Sequence, residues 1–361
     1  MNTPNESDDG DQPSKKHTRR VRYSGTHPKR YKDKYKEHDI AAHPDIQARL
    51  RAKGKTPAST HIPIMTEEVL ACLDPKGGET VIDCTVGYGG HASEFIKRIG
   101  PTGKLIALDV DGTELERTGQ RLSKFDTPMS FHRSNFAGIA NVLNKEKLEG
   151  YDIIFADIGI SSMQIDNPDR GLSYRYEGLL DMRMDDRLKQ TAADLLNTLS
   201  EEKLAKAFFQ LADEPHNQEI ASEIVNQRTD KPFTKTSQLV DIIFSAKDIN
   251  QKIWIEERRA EKISRLHPAA RVFQALRILV NDELGSLREL LRVAPYCLRP
   301  GGRIGIISFH SGEDRIVKKS FQQGLRSGIY KAIAEDVIVA ERKERNANPR
   351  SKSAKFRWAA I

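Results

Sequence analysis

The stretch from Glu79 to Asp111 most constrains what this chain can fold into. Thr80, Val81 and Ile82 read as an apolar strand ending on Asp83. Gly87-Tyr88-Gly89-Gly90-His91 follows, then an amphipathic run to Ile99, a Gly100-Pro101 stop and a second strand, Leu105 to Leu108, ending on Asp109. Strand, glycine turn, helix, strand, acid is the order of a nucleotide-binding βαβ unit: the glycines let the backbone approach a ligand, and an acid about 20 residues on accepts ribose hydroxyls. The pattern predicts a nucleoside-containing cofactor without choosing one, because Gly87, Gly89 and Ala92 also pass for a dinucleotide fingerprint. Asp83 tilts the choice. A carboxylate beside the glycine turn repels a pyrophosphate and suits the ammonium and sulfonium of S-adenosylmethionine.

The same rhythm continues. Upstream, Thr66 reads as an N-cap for a helix with Val69, Leu70 and Leu73 on its apolar stripe. Downstream, Asp111 caps a helix through Leu115 and Leu122, Met129 to His132 is a short strand, and Asn135-Phe136 starts a helix through Ile139, Val142 and Leu143. Tyr151 to Ile158 is then a strand, apolar except at Asp152 and Asp157. The prediction is an α/β fold, a doubly wound, Rossmann-like parallel sheet with right-handed crossovers. Asp83, Asp109 and Asp157 then stand at the carboxyl ends of strands, where such sheets bind ligands.

Beyond Asp157 the period changes. Ala192 to Leu199, Glu201 to Leu211, Asn217 to Gln227 and Thr236 to Phe244 are all helical in pattern, and the charged run from Lys247 to Arg265 reads as an exposed helix or link. His267-Pro268 opens a long amphipathic helix that continues to Cys297, and Arg299-Pro300-Gly301-Gly302 turns into a strand from Arg303 to Phe309. The predicted organisation is a disordered basic arm (1–58), a cofactor-binding domain (59–184 and 267–361) and an inserted helical subdomain (185–266) that recognises substrate.

Charge points to a partner. Residues 1–56 hold 14 Lys and Arg against 8 Asp and Glu, which leaves 44 against 43 for the rest of a 361-residue chain with net charge +7. Lys15 to Lys36 interleaves basic residues with Tyr23, Tyr31 and Tyr35, a composition suited to a polyphosphate backbone and too polar to fold alone. Arg350, Lys352, Lys355 and Arg357 form a second basic cluster. Cys72, Cys84 and Cys297 have no metal-ligand spacing, no metal site is expected, and no run of 18 apolar residues occurs. These features predict a cytoplasmic protein with no membrane partner; a homodimer is left open.

The chain resembles the bacterial ribosomal small-subunit RNA methyltransferase H family, also called MraW. The resemblance rests on His61-Ile62-Pro63, the Gly87 to His91 turn, Asp157-Ile158-Gly159-Ile160-Ser161-Ser162 and Asp181-Met182-Arg183-Met184-Asp185. It extends through Gln274-Ala275-Leu276-Arg277, Asn281-Asp282-Glu283-Leu284, Ser308-Phe309-His310-Ser311, Glu313-Asp314-Arg315 and Asn348-Pro349-Arg350-Ser351. What it implies is methylation of the exocyclic 4-amino group of a cytidine in small-subunit (16S) ribosomal RNA, within a ribosomal particle, by S-adenosylmethionine. It also implies that Gly89, Gly90, His91, Asp109, Phe136, Asp157 and Gln164 contact the cofactor. Cys84 stands where the family usually has glycine and is expected to tighten the cofactor's approach.

The chemistry asks for an acceptor at one N–H of a planar amine, so that its lone pair is freed as the bond forms. Asp157 is the expected group, either there or only on the cofactor. His310 is its candidate acid–base companion, or else a loop-ordering residue. Phe309 or Tyr174 is expected to stack on the base. Two other readings use the same sequence: a nicotinamide-dependent oxidoreductase on this turn, and a non-catalytic RNA-binding or ribosome-assembly protein.

Overall fold

Alternation builds the sheet. In β1 (Thr80–Asp83), β2 (Lys104–Asp109) and β4 (Tyr151–Asp157) successive side chains enter opposite faces, as a two-residue period requires. Val81, Leu105, Ala107, Ile153 and Phe155 join one apolar cluster; Ile82, Ile106, Leu108, Ile154 and Ala156 join another. Both faces are therefore covered, which is why the middles of these strands are continuously apolar and their polar residues stand at or near the ends.

The computed structural model describes residues 63–260 and 266–361; the arm 1–58, His61, Ile62 and the last residues of the Lys247 to Arg265 run lie outside them. The described residues form a seven-stranded sheet in the order β3-β2-β1-β4-β5-β7-β6, with β3 at Met129–Arg133, β5 at Leu298–Ser308, β6 at Ala332–Ile333 and β7 at Lys355–Ala360. Strands β1 to β5 pair in parallel, as expected of a doubly wound α/β sheet, while β7 runs antiparallel to β5 and β6. That antiparallel edge corrects both the all-parallel expectation and the basic-cluster reading of its residues. Arg357 is buried, its Nε donates to Asp314 Oδ1 at 2.6 Å, and Lys355 Nζ lies 3.4 Å from Asp314 Oδ2. Two of the four cluster charges are thus internally paired.

Helices α1 (Thr66–Leu73), α2 (Gly90–Ile99), α3 (Gly112–Leu122) and α4 (Ile139–Lys145) cover the first half of the sheet, and the short α5 (Ser162–Asp166) follows β4. Asp111 caps α3 through Glu114 N, and Asn135 caps the turn before α4, as read from sequence. Thr66 does not cap α1. Met65 takes the cap position with φ 54°, and Thr66, one residue inside, donates its hydroxyl to the Pro63 carbonyl at 2.8 Å.

Helices α6 (Ala192–Thr198), α7 (Glu201–Ala212), α8 (Asn217–Asp230), α9 (Thr236–Ala246) and α10 (Gln251–Arg259) match the predicted helical stretch closely. Their core includes Phe208, Phe233 and Ile243, and also takes Leu172, Leu180 and Met182 before the stretch and Val272, Phe273 and Leu276 after it. The long helix expected from His267 to Cys297 is two: α11 (Ala270–Asn281) and α12 (Glu283–Cys297) meet at Asp282, whose φ of 46° ends one and starts the other. Helices α13 (Ser311–Arg326) and α14 (Arg342–Ala347) complete the chain.

Candidate active site

Register brings three acids together. Asp83 pairs with Ala107 of β2 and Phe155 of β4, so the ends of β1, β2 and β4 lie side by side with Asp83, Asp109 and Asp157 at one edge. Thr85 ties two of them: its N–H donates to Asp83 Oδ1 at 3.1 Å and its hydroxyl oxygen accepts from Asp157 N at 2.7 Å. Asp109 is held by the turn it faces, with Oδ2 accepting from Gly87 N and Oδ1 from Asp111 N, both at 2.9 Å.

None of the three has a Lys or Arg partner among the described residues. Burial, with Asp109 nearby, raises the Asp83 carboxyl to about 7. Burial raises Asp109 to about 6 against the pull of its two N–H donors, and burial with Asp83 and Glu313 nearby raises Asp157 to about 8. Asp157 Oδ1 is also buried with no hydrogen-bond partner. Buried carboxyls whose charged forms have no cationic partner among the described residues, beside an orphaned acceptor, fit a cationic ligand that would hold them ionised.

His91 does not supply that charge. Burial lowers its imidazole to about 4, so it is neutral; Nε2, 2.9 Å from the Ile64 carbonyl, is the protonated nitrogen, and Nδ1 faces Asp157 Oδ2 at 3.9 Å. Its ring packs 4.6 Å from Phe155, leaving the backbone of the turn as the ligand-facing part. Gly87 and Gly89 take φ of 46° and 79°, and a Cβ on Gly89 would come 3.0 Å from Thr118 Cγ2 on α3. The turn needs glycine for its backbone angles and for helix packing alike.

Tyr88, between the glycines, bonds Met163 Sδ through its hydroxyl and lies under the Arg121 guanidinium at 5.1 Å, which joins the turn to α5. On α5, Gln164 Oε1 accepts from Ser161 N at 2.9 Å in a capping box, so its side chain orders the loop after Asp157. Phe136 is partly buried against the sheet core. Cys84 does not narrow the crevice: its buried side chain joins the core cluster of Ile82 and Ile106, and its N–H pairs with the Phe155 carbonyl.

On the other side of Asp157 lies the end of β5, where Ile307 is its register partner. Phe309 follows, close enough to Gly159 that a Cβ there would meet its Cδ2 at 3.2 Å. Tyr174 stacks one face of its ring on His267, with centroids 4.2 Å apart. His310 caps α13, its Nδ1 accepting from Glu313 N at 3.4 Å. The fully buried Glu313 reciprocates, Oε2 accepting from Phe309 N at 2.9 Å and His310 N at 3.3 Å. Glu313 Oε1 and His310 Nε2 lie 3.0 Å apart but out of hydrogen-bonding alignment.

Sequence reasoning missed Glu313 as a site residue, although its place three residues after His310 is that of a capping box. It also missed Thr85 and Arg170, whose guanidinium bonds the Asp111 carboxylate and donates to the Met184 carbonyl at 3.2 Å, strapping the loop after α5 to the cofactor edge. Nothing local in sequence marks those long-range bonds.

The arrangement can hold a cationic nucleoside at the glycine turn and present Asp157 and Phe309 to a second molecule beside it. Comparison with known proteins agrees with this. Residues 58–361 match the model of the MraW methylase family. The chain is 40% identical over 349 residues to "Ribosomal RNA small subunit methyltransferase H 1" of Lachnoclostridium phytofermentans, covering 95% of this chain and 93% of that one. It is 42% identical over 354 residues to "Ribosomal RNA small subunit methyltransferase H 2" of Alkaliphilus metalliredigens, with 97% and 99% covered. A Nostoc protein, "Ribosomal RNA small subunit methyltransferase H", is 42% identical over 304 residues, with 84% and 93% covered. With near-complete coverage on both sides and a crevice of the matching chemistry, the chain belongs to the MraW methylase family.

Proposed function

We propose that this protein methylates the exocyclic 4-amino group of a cytidine in small-subunit (16S) ribosomal RNA, using S-adenosylmethionine, in the cytoplasm and on a ribosomal particle. The observation that carries the reading is the set of three buried strand-end carboxyls with no Lys or Arg partner among the described residues, in a chain of this family. The cofactor, when bound, supplies a methyl group already activated on a sulfonium. The chain's own work is positioning. Asp109, held by Gly87 and Asp111, is placed for ribose hydroxyls; Asp83 and Asp157 offset positive charge; Gly89, Gly90, the His91 backbone, Phe136 and Gln164 shape the rest of the pocket.

Asp157 Oδ1, buried and unpaired, is the acceptor for one N–H of the target amine. Phe309 is the base's stacking surface. Methyl transfer releases one proton from the amine; in this reading Asp157 takes it, and the His310–Glu313 pair is the acid–base companion that relays it. In this reading the helical subdomain, 185–266, grips RNA around an extruded nucleotide, the methyltransferase domain is 59–184 with 267–361, and the arm 1–58 adds phosphate contacts. A homodimer belongs to the same proposal and is read by sedimentation. Among the described residues no helix is long and apolar enough to cross a membrane.

The test has two arms. Mass mapping of ribosomal RNA from cells lacking the protein is expected to show loss of one N4-methylcytidine; retention of every such modification overturns the reading. Calorimetry is expected to give binding of S-adenosylmethionine and not of NAD, and binding of NAD alone would restore the oxidoreductase alternative.

A further inference from the structure

Beside His310 the fold leaves a cavity of about 210 Å³ between the end of α7, the first turns of α11 and the first turn of α13. Two guanidinium groups line it from different elements, Arg271 on α11 and Arg315 on α13. Neither holds a carboxylate among the described residues. Arg271 donates through Nη1 to the Asp213 carbonyl at 2.8 Å, and exposed Arg315 makes no hydrogen bond or ion pair there. The arginines around the crevice differ: Arg133, Arg170, Arg277 and Arg357 each hold an acid. The Gln274 amide and the Ser311 hydroxyl on the same wall also have no partner among the described residues.

The lining selects a ligand class. It contains no Phe, Tyr or Trp, and its one ring, His310, is held in the cap of α13, whereas guanidinium forks that hold no carboxylate match the oxygens of a phosphate. Asp213 is the one carboxylate of the lining, against two arginines. His310 lines the cavity, and Ile307, three residues before it, is the register partner of Asp157; the cavity therefore opens one short step from the acceptor of the target amine. A phosphate flanks the base within every nucleotide.

We propose that this cavity binds a backbone phosphodiester of the RNA next to the methylated nucleotide, with Arg271 and Arg315 as its ligands; the site rests on RNA being the substrate. Its single negative charge offsets the net excess of one positive charge that Arg271 and Arg315 leave over Asp213, and its position fixes how far the target base reaches into the crevice.

The experiment is binding of a labelled RNA containing the small-subunit target segment, titrated at several salt concentrations, with S-adenosylmethionine affinity measured in parallel. Arg271→Gln and Arg315→Gln are each expected to weaken RNA binding and to shrink the log–log salt slope, by up to about 0.7–0.9 for loss of the one phosphate, with the double variant losing no more than that and cofactor affinity unchanged. Asp213→Asn is expected to tighten RNA binding, since it removes the opposing charge and Asn tolerates the φ of 51° at that position. Arg326→Gln, at the far end of α13, serves as the control and is expected to keep the parent slope. Parent slopes in both cavity variants, or an equal loss in Arg326→Gln, overturn the site. A parent protein that binds RNA but methylates none overturns the functional reading instead, with the slopes still deciding the cavity.

Discussion

At the scale of residues, Asp109 and Asp157 play different parts although both end a strand. Asp109 fixes the Gly87 turn through two N–H bonds and faces the ribose position, while Asp157 Oδ1 has no partner in the protein. Asp109→Ala is therefore expected to weaken S-adenosylmethionine binding more than Asp157→Ala does, at about 1.5–3 kcal/mol per charge-assisted hydrogen bond removed. Equal dissociation constants for both variants and the parent in calorimetry would refute the assignment. The raised carboxyls also predict a pH dependence. Asp83, Asp109 and Asp157 titrate at about 7, 6 and 8 in the folded protein, above an unfolded Asp, so the native state binds more protons than the unfolded chain. The stability these three groups contribute to the ligand-free protein is then fully present below the unfolded Asp value and is lost as pH rises through 6 to 8. A cation in the crevice lowers the same carboxyls, so its binding releases protons and its affinity climbs between pH 6 and 8, by up to about tenfold per pH unit for each group. Titrations in buffers of different ionisation enthalpy read the released protons, and none released would rule the coupling out.

At the scale of elements, the junction of α11 and α12 carries the most structural risk. Arg277 and Glu283 form a buried two-pronged pair across it, Nε to Oε1 at 2.8 Å and Nη2 to Oε2 at 2.9 Å. Asn281, on the same turn, accepts from Met184 N at 2.7 Å and donates to the Met182 carbonyl at 2.8 Å, so the junction also anchors the loop that Arg170 straps to the cofactor edge. Glu283→Ala leaves a buried guanidinium unpaired and is expected to cost about 3–5 kcal/mol, against little for the exposed pair at Arg292 and Glu289. Denaturant unfolding of Glu283→Ala beside Glu289→Ala checks the contrast. From sequence this junction reads as one continuous helix, because the apolar period runs through Asp282 and a left-handed Asp leaves no compositional mark.

At the scale of the whole molecule, two sheet-facing clusters and one helical cluster share the chain, and the crevice opens where β1, β2, β4 and β5 end. The basic arm lies outside the described residues and acts, in the proposed reading, only on RNA. Deleting 1–56 is expected to leave S-adenosylmethionine affinity intact while weakening RNA binding and flattening its salt dependence, by roughly 0.7–0.9 for each phosphate the arm neutralises. An unchanged slope would show that the arm neutralises none. Sequence alone determined the alternation of strands and helices from Thr66 to Asp157, the glycine turn, the three strand-end acids and the helical stretch, because each is written in a short period or a single residue's backbone preference. Only the tertiary structure decided that β7 is a strand, that Arg357 belongs to Asp314 and not to a basic tail, that Tyr174 stacks on His267, and that Thr85 and Glu313 support the crevice. Burial and pairing between distant residues depend on which surfaces meet, and no local pattern encodes that meeting.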